Sequence, residues 1–324
     1  MPTRQSTDDK LIALETAADS ADAESLLPVL VQGLKDRHYR VVALAAHFAA
    51  DKLVYESVPM LLAAYPRFIE KPAKRDPNCY AKKAITRALY DLDCCDVEFY
   101  LAAIRYQQME PTWGGSVDSA ADLRVSAAMG LVASGYSRAL AELAELLTDS
   151  EPPVRAGAAR AIACGNPREA EQLLRLKIFA GDEEALVIAD CFTGLLTVEP
   201  EESVQFVSRF LADGDDVIQE AAALALGESR LPAAIDSLKA AWQDVLVPAE
   251  FRRVLIRAAA LHRSNEAFDW LLALVAEGDA NIAAETVEIL SIYRHNEKLG
   301  ERLRQVLDKR VDQDAMTVFE KVWM

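Results

Sequence analysis

One pattern returns along this chain at intervals of 31 to 33 residues, and it constrains the fold more than any other feature. An apolar anchor is followed by small residues four, five and seven places on. The clearest copy is DSEPPVRAGAARAI, where Val154 is the anchor and Ala158, Ala159 and Ala161 fill the small positions. The template recurs from Leu123, Val187, Ile218, Phe251 and Ile282, giving successive intervals of 31, 33, 31, 33 and 31. The last two copies are degenerate, with Leu255, Ile256, Thr286 and Val287 at small positions. Self-similarity at this period is the signature of a stacked repeat architecture.

A second marker keeps the same register. Pro167, Pro200 and Pro232 open the partner segments NPREAEQLL, EPEESVQFV and LPAAIDSLK. Proline suits the first helical turn, where its missing N–H has no use. The corresponding starts elsewhere carry Ser137 and Ser264–Asn265, residue types favoured at helix N-caps. Asp36, Asp149, Asp215 and Asp279 lie just upstream of the second helices, where a carboxylate accepts orphan amides and meets the positive helix end. Each unit is therefore expected to be two short helices that neither could sustain alone in water. Stacking of neighbours supplies the burial.

The period loosens upstream, where copies begin near Tyr39 and Tyr80 at spacings of 41 and 43. The extra length falls at 65–78 (YPRFIEKPAKRDPN) and 110–122 (EPTWGGSVDSAAD). Both segments carry Pro or Gly without helical periodicity and are expected to be inserted loops. At the far end, Val318, Phe319, Val322 and Trp323 share one helical face, which predicts a C-terminal helix over 311–324 that caps the last core face. The expectation is an all-α, right-handed α-solenoid of about nine hairpins running through 1–324, irregular over 1–124 and regular over 125–310.

Composition agrees. The chain is 52% hydrophobic but only 7% aromatic, so alanine and leucine carry its apolar weight, which favours helices over sheets. No apolar run reaches the roughly 18–20 residues that span a bilayer, and MPTRQSTDDK reads as a frayed polar end rather than a secretory signal. Five cysteines form no even framework, as expected in a reducing compartment; a cytoplasmic protein is expected. The formal net charge of −16 opposes contact with phosphate backbones and anionic lipid. Charge is segregated, however. Residues 141–250 hold 21 acids and 8 bases, whereas 67–87 hold 7 bases and 2 acids.

With VRAGAARAI and its five relatives in view, the chain resembles the HEAT-repeat superfamily, most of all the alanine-rich phycobilisome-lyase HEAT-like repeats, over residues 25–310. The resemblance implies a helical-hairpin stack and, by default, a scaffold or adaptor. Three enzymatic or nucleic-acid readings within that superfamily can be set against residues. The di-iron hydroxylases use repeated His-Glu pairs, and none of His38, His47, His262 and His295 is followed by Glu. The DNA glycosylases use a basic groove, a poor match to this charge. A bilin-lyase-like or chaperone-like protein acting on a tetrapyrrole acceptor stays open as the alternative.

Several residues invite a function. Lys71, Lys74 and Arg75 surround Pro72, and Lys82 and Lys83 follow; they are either a docking patch for an acidic partner or anion, or solvated charges balancing an acidic body. Trp113 stands before Gly114–Gly115, either as an exposed anchor or folded back as a plug between repeats. Arg124, next to the Leu123 anchor, joins this candidate set. The pair Cys94–Cys95 lacks the spacing of a zinc site and is expected to be a turn with one thiol buried. Cys191 falls on a small-residue position and is expected in the core. His47 is expected to be packed in its helix, and His262 and His295 to lie at helix ends, where a cation helps. The acidic turns Asp182–Glu184, Glu199–Glu202 and Asp213–Asp216 lack the ligand alternation of a calcium loop. These observations lead to the expectation of a non-enzymatic scaffold binding a protein or peptide along a concave face lined by its second helices and at the two insertions. No catalytic residue, metal site or cofactor is expected. The second alternative is anion or nucleic-acid binding through the basic loop.

Overall fold

The computed structural model describes residues 6–20, 23–212, 214–244 and 247–323. Part of the expected polar start (1–5) and Asp213 of the acidic turn lie outside these residues. The chain opens with α1 (Thr7–Ser20), α2 (Ala23–Leu34) and α3 (Tyr39–Asp51), followed by α4 (Val58–Ala64), the single turn α5 (Pro72–Arg75), α6 (Tyr80–Asp91) and α7 (Val97–Ala103). A hairpin of β1 (Met109–Thr112) and β2 (Gly115–Asp118) precedes α8 (Ala121–Ala133), α9 (Ala139–Leu146), α10 (Pro152–Ala163) and α11 (Pro167–Ala180). Next come α12 (Ala185–Val198), α13 (Pro200–Ser208), α14 (Asp216–Ser229), α15 (Pro232–Trp242) and α16 (Ala249–His262). The last four are α17 (Asn265–Glu277), α18 (Ala280–Leu290), α19 (Glu297–Leu307) and α20 (Asp314–Trp323).

Two compact units, Met1–Leu173 and Leu174–Met324, divide the chain within α11. In the first, the second helices α3, α6, α8 and α10 pack in that order into one layer. Across it lie α2 against α3, α4 against α6, α7 against α8, and α9 against α8 and α10, with α1 leaning on α2 and α3. In the second unit, α12, α14, α16, α18 and α20 form one layer and α13, α15, α17 and α19 the other. Each unit is thus a two-layer stack of helical hairpins in sequence order, and among the described residues the only strands are β1 and β2 in the first unit.

The alanine pattern is the seam of the second-helix layer. In all six copies, the residues four and five places after the anchor are buried, from Ala127 and Ala128 to Thr286 and Val287. Small side chains there let helix axes approach closely. Leu123, Val154, Val187 and Phe251 are buried as anchors, while Ile218 and Ile282 are only half-buried.

Pro167, Pro200 and Pro232 each open a helix. Ser264 caps α17, its Oγ accepting the Ala267 N–H at 3.0 Å. Ser137 does not cap α9, which begins two residues later with Arg138 at its N-cap and no side-chain bond. Asp215 and Asp279 cap α14 and α18 as expected. Asp36 and Asp149 stand two residues earlier than a cap and accept the N–H groups of His38 (2.7 Å) and Glu151 (2.9 Å), the bond of an Asx turn. Asp182 makes the same bond to Glu184 at 2.9 Å. The C-terminal helix packs on α18 as the second member of a hairpin with α19, burying Ala315 and Phe319, and the Trp323 indole donates to the Val287 carbonyl at 3.3 Å.

Neither insertion is an irregular loop. Residues 65–78 coil into short turns, a 3-10 turn over Tyr65–Phe68, then α5, then Pro77–Cys79. Prolines at 66, 72 and 77 sit in the opening positions of these turns, which is why no longer helical period shows in the sequence. Residues 110–122 contain most of the β-hairpin, with Glu110 opposite Val117 and Thr112 opposite Gly115. Its two-residue loop is Trp113–Gly114, and Gly114 adopts φ +97°, a conformation that glycine takes without a Cβ clash.

Candidate protein-docking surface

The two insertions share a buried polar base. Asp76 and Lys82 are both fully buried and pair at 2.7 Å. The Asp76 carboxylate also accepts the N–H groups of Ala81 (2.6 Å) and Lys82 (3.1 Å). The ammonium of Lys82 donates further to the Phe68 carbonyl at 3.2 Å. A buried charge is tolerated only when paired and hydrogen-bonded, and these contacts meet that condition. They close the first insertion onto the start of α6.

The second insertion is tied down in the same way. The Arg124 guanidinium reaches Asp118 at 2.5 Å, the Tyr106 carbonyl at 3.0 Å and Asp149 at 3.0 Å. Asp118 sits at the end of β2 and Asp149 in the turn before α10, so one arginine links the hairpin to the next repeat. Asp118 also accepts the N–H groups of Gln108 and Ala120, both at 2.9 Å. Burial opposes ionisation of Asp118, but these N–H groups and Arg124 outweigh it and hold its carboxyl below the usual range. Gln108 joins the two bases, its amide donating to the Asp76 carbonyl at 2.9 Å and to Glu110 at 2.5 Å. Glu110 in turn accepts the Asn78 N–H at 2.8 Å.

These contacts correct two of the candidate binding residues. Lys82 is fully buried and Arg124 is 1% exposed; their charges are spent inside the chain and are not presented to a partner. Lys71, Lys74 and Arg75 are exposed, and Arg75 pairs with Glu70 at 3.1 Å. Lys83 is half-buried and 3.4 Å from Asp122. Trp113 is wholly exposed, at 106%, so it is not a plug between repeats. Met109 and Val117 on the same hairpin are also exposed. The hairpin thus presents apolar side chains on a base fixed by ion pairs.

The remaining singled-out residues fall as follows. Cys94 is buried and Cys95 exposed. Cys191 is buried in the core, and burial pushes its thiol up to about 12. His47 is exposed rather than packed, because it lies on the outer side of α3. His262 ends α16 but is buried, with its ring nitrogens 2.8 Å from Ser264 Oγ and 3.0 Å from the Leu231 carbonyl. His295 is exposed and precedes Asn296, the N-cap of α19; it therefore stands before the start of a helix, where a cation gains nothing. Among the described residues no group of three or more His, Cys, Asp or Glu is placed to hold a metal ion, and no helix is long and apolar enough to cross a membrane.

No protein-family model matches the chain, and no curated protein matches it. Solved structures do resemble it. Human deoxyhypusine hydroxylase in complex with glycerol is 16% identical, over 80% of this chain and 91% of that one, with a TM-score of 0.31. An engineered protein is 17% identical over 99% and 95%, with a TM-score of 0.36. The CpcE–CpcF complex of phycocyanin lyase from Nostoc sp. PCC7120 is 15% identical over 99% and 98%, with a TM-score of 0.37. At these values the likenesses carry no argument about activity. The fold assignment rests on the order of helix packing within each unit.

Proposed function

We propose that this chain is a non-enzymatic interaction scaffold whose β-hairpin is a primary contact for a protein partner. One observation carries the reading: Trp113 is fully exposed at the tip of a hairpin whose base is held by the buried Asp118–Arg124–Asp149 pairs. Exposing a tryptophan gives up the stabilisation that burying its large apolar surface would supply. Tying down the segment that exposes it lowers the ordering cost of binding. The combination supports a preformed anchor, and tryptophan is enriched among residues that dominate binding energy.

Affinity capture from the native cell, with wild type against Trp113→Ala, tests the reading. Because the side chain is wholly exposed, the variant is expected to keep the wild-type circular dichroism and melting behaviour. It should lose at least about 2 kcal/mol of partner binding, roughly a thirtyfold weakening. Equal recovery of every captured protein by both forms would overturn the proposal.

A further inference from the structure

A groove of about 530 Å³ runs along the outer side of α3 and α6, beside α1. Its walls include Leu11 and Glu15 of α1, Arg40, Leu44 and His47 of α3, and Tyr80 and Lys83 of α6. We infer that this groove binds a carboxylate-rich peptide segment of a partner protein, with acidic side chains on Arg40 and Lys83 and an apolar one between Leu44 and Tyr80. This deepens the scaffold reading and rests on it.

Charge is the first argument. The chain carries −16, yet two cations, Arg40 and Lys83, line this groove with one carboxylate, Glu15. No described residue pairs with the Arg40 guanidinium, and Lys83 has only a 3.4 Å contact with Asp122. Two arginines of α16 show the contrast. Arg257 pairs with Glu220 at 3.2 Å, and Arg253 with Glu285 at 3.4 Å and Glu288 at 3.6 Å. Arg40 is also badly placed for its own helix, since the first turn of α3 has no acidic residue and a cation there opposes the helix dipole. Helix stability therefore does not explain it.

The second argument is the aromatic wall. Tyr80 is 54% exposed but is not loose. Its ring meets Tyr39 edge-on at 6.0 Å, and Tyr39 stacks on His38 at 4.8 Å. A positioned tyrosine beside half-buried Leu11 and Leu44 offers apolar contact between two cations, and tyrosine and arginine are enriched at protein interfaces.

The test uses the full chain and a short fluorescein-labelled peptide of alternating glutamate and leucine, read by fluorescence anisotropy. Binding should weaken steeply with added salt and should fall at least tenfold, about 1.4 kcal/mol, in the double variant Arg40→Glu, Lys83→Glu. Arg87→Glu, on the same helix as Lys83 but outside the groove, should bind as wild type, and circular dichroism confirms that each variant is folded. A peptide with glutamine in place of glutamate should not compete. Unchanged binding by the double variant, or equal binding of the glutamine peptide, overturns the inference. So does concentration-dependent self-association abolished by the same substitutions, which would make a second copy of this chain the occupant. Trp113→Ala should leave peptide binding intact, so the groove and the hairpin can each fail alone.

Discussion

Asp118 illustrates how a single side chain fixes an inserted segment. It accepts two backbone N–H groups and the Arg124 guanidinium while lying almost wholly buried. Asparagine keeps the shape but leaves Arg124 with Asp149 as its only carboxylate. Breaking a buried pair typically costs about 3–5 kcal/mol, and because one partner remains, a loss of about 2–3 kcal/mol is expected for Asp118→Asn near neutral pH. The pH dependence has a definite sign. The folded carboxyl of Asp118 is depressed, so its contribution is fully present above the unfolded value of about 3.9 and is lost as pH falls through the lower folded value. Urea melts of wild type and variant should therefore differ most at about pH 7 and draw together only as pH falls below about 4; a constant gap would mean that Asp118 is not ionised in the folded protein. Residues of this kind were only partly legible in the sequence. Asp149 and Asp215 stand out because the period points to them. Asp76 and Asp118 do the same work at the two places where the period breaks, and nothing in their local sequence separates them from solvated acids. Lys82 and Arg124 looked like binding residues for the same reason: a sequence shows a charge but not the carboxylate folded over it.

Helix elements in this chain are set apart by what fills the seam between them. Gly227 of α14 lies where a Cβ would come within 2.2 Å of the Ala258 carbonyl oxygen of α16. Backbone cannot rotate away as a side chain can, so Gly227→Ala must push the two helices apart. Overpacking costs about 1–3 kcal/mol, and a clash with backbone belongs at the upper end, so a net loss of about 2 kcal/mol remains after the roughly 1 kcal/mol that alanine gains over glycine within a helix. Gly300 of α19 provides the opposite case. Among the described residues a Cβ there meets only the Trp323 ring at 3.4 Å, an ordinary contact, so Gly300→Ala should stabilise by up to about 1 kcal/mol. Thermal melts of the two variants should move in opposite directions; destabilisation by both would show that the seam is not what distinguishes them. The seam itself was readable, since every residue four or five places beyond an anchor is buried. The β-hairpin was not. Its strands are four residues each, too short for an alternating pattern to register, and Gly114–Gly115 suggested only flexibility.

At the scale of the whole chain, each unit is a stack in which hairpins touch their neighbours in sequence order, with no central core to make unfolding all-or-none. Stability is then close to a sum of repeat and interface terms, and damage stays local unless adjoining repeats depend on it. The chain divides into two compact units at Leu173–Leu174, so a change at the α14–α16 seam falls in the second unit while the hairpin and the groove lie in the first. Gly227→Ala should consequently loosen the second unit without altering either proposed docking feature. Hydrogen exchange followed by mass spectrometry is the suitable measurement, because it reports opening segment by segment. Peptides from α12, α14 and α16 are expected to exchange up to about thirtyfold faster in the variant, the factor that a net loss of about 2 kcal/mol implies for an opening equilibrium. Peptides from α3, α6 and α8 should keep their wild-type rates. Equal acceleration in both units would instead show that they open together, and a substitution in the second unit would then be able to control binding at Trp113 and Arg40 in the first.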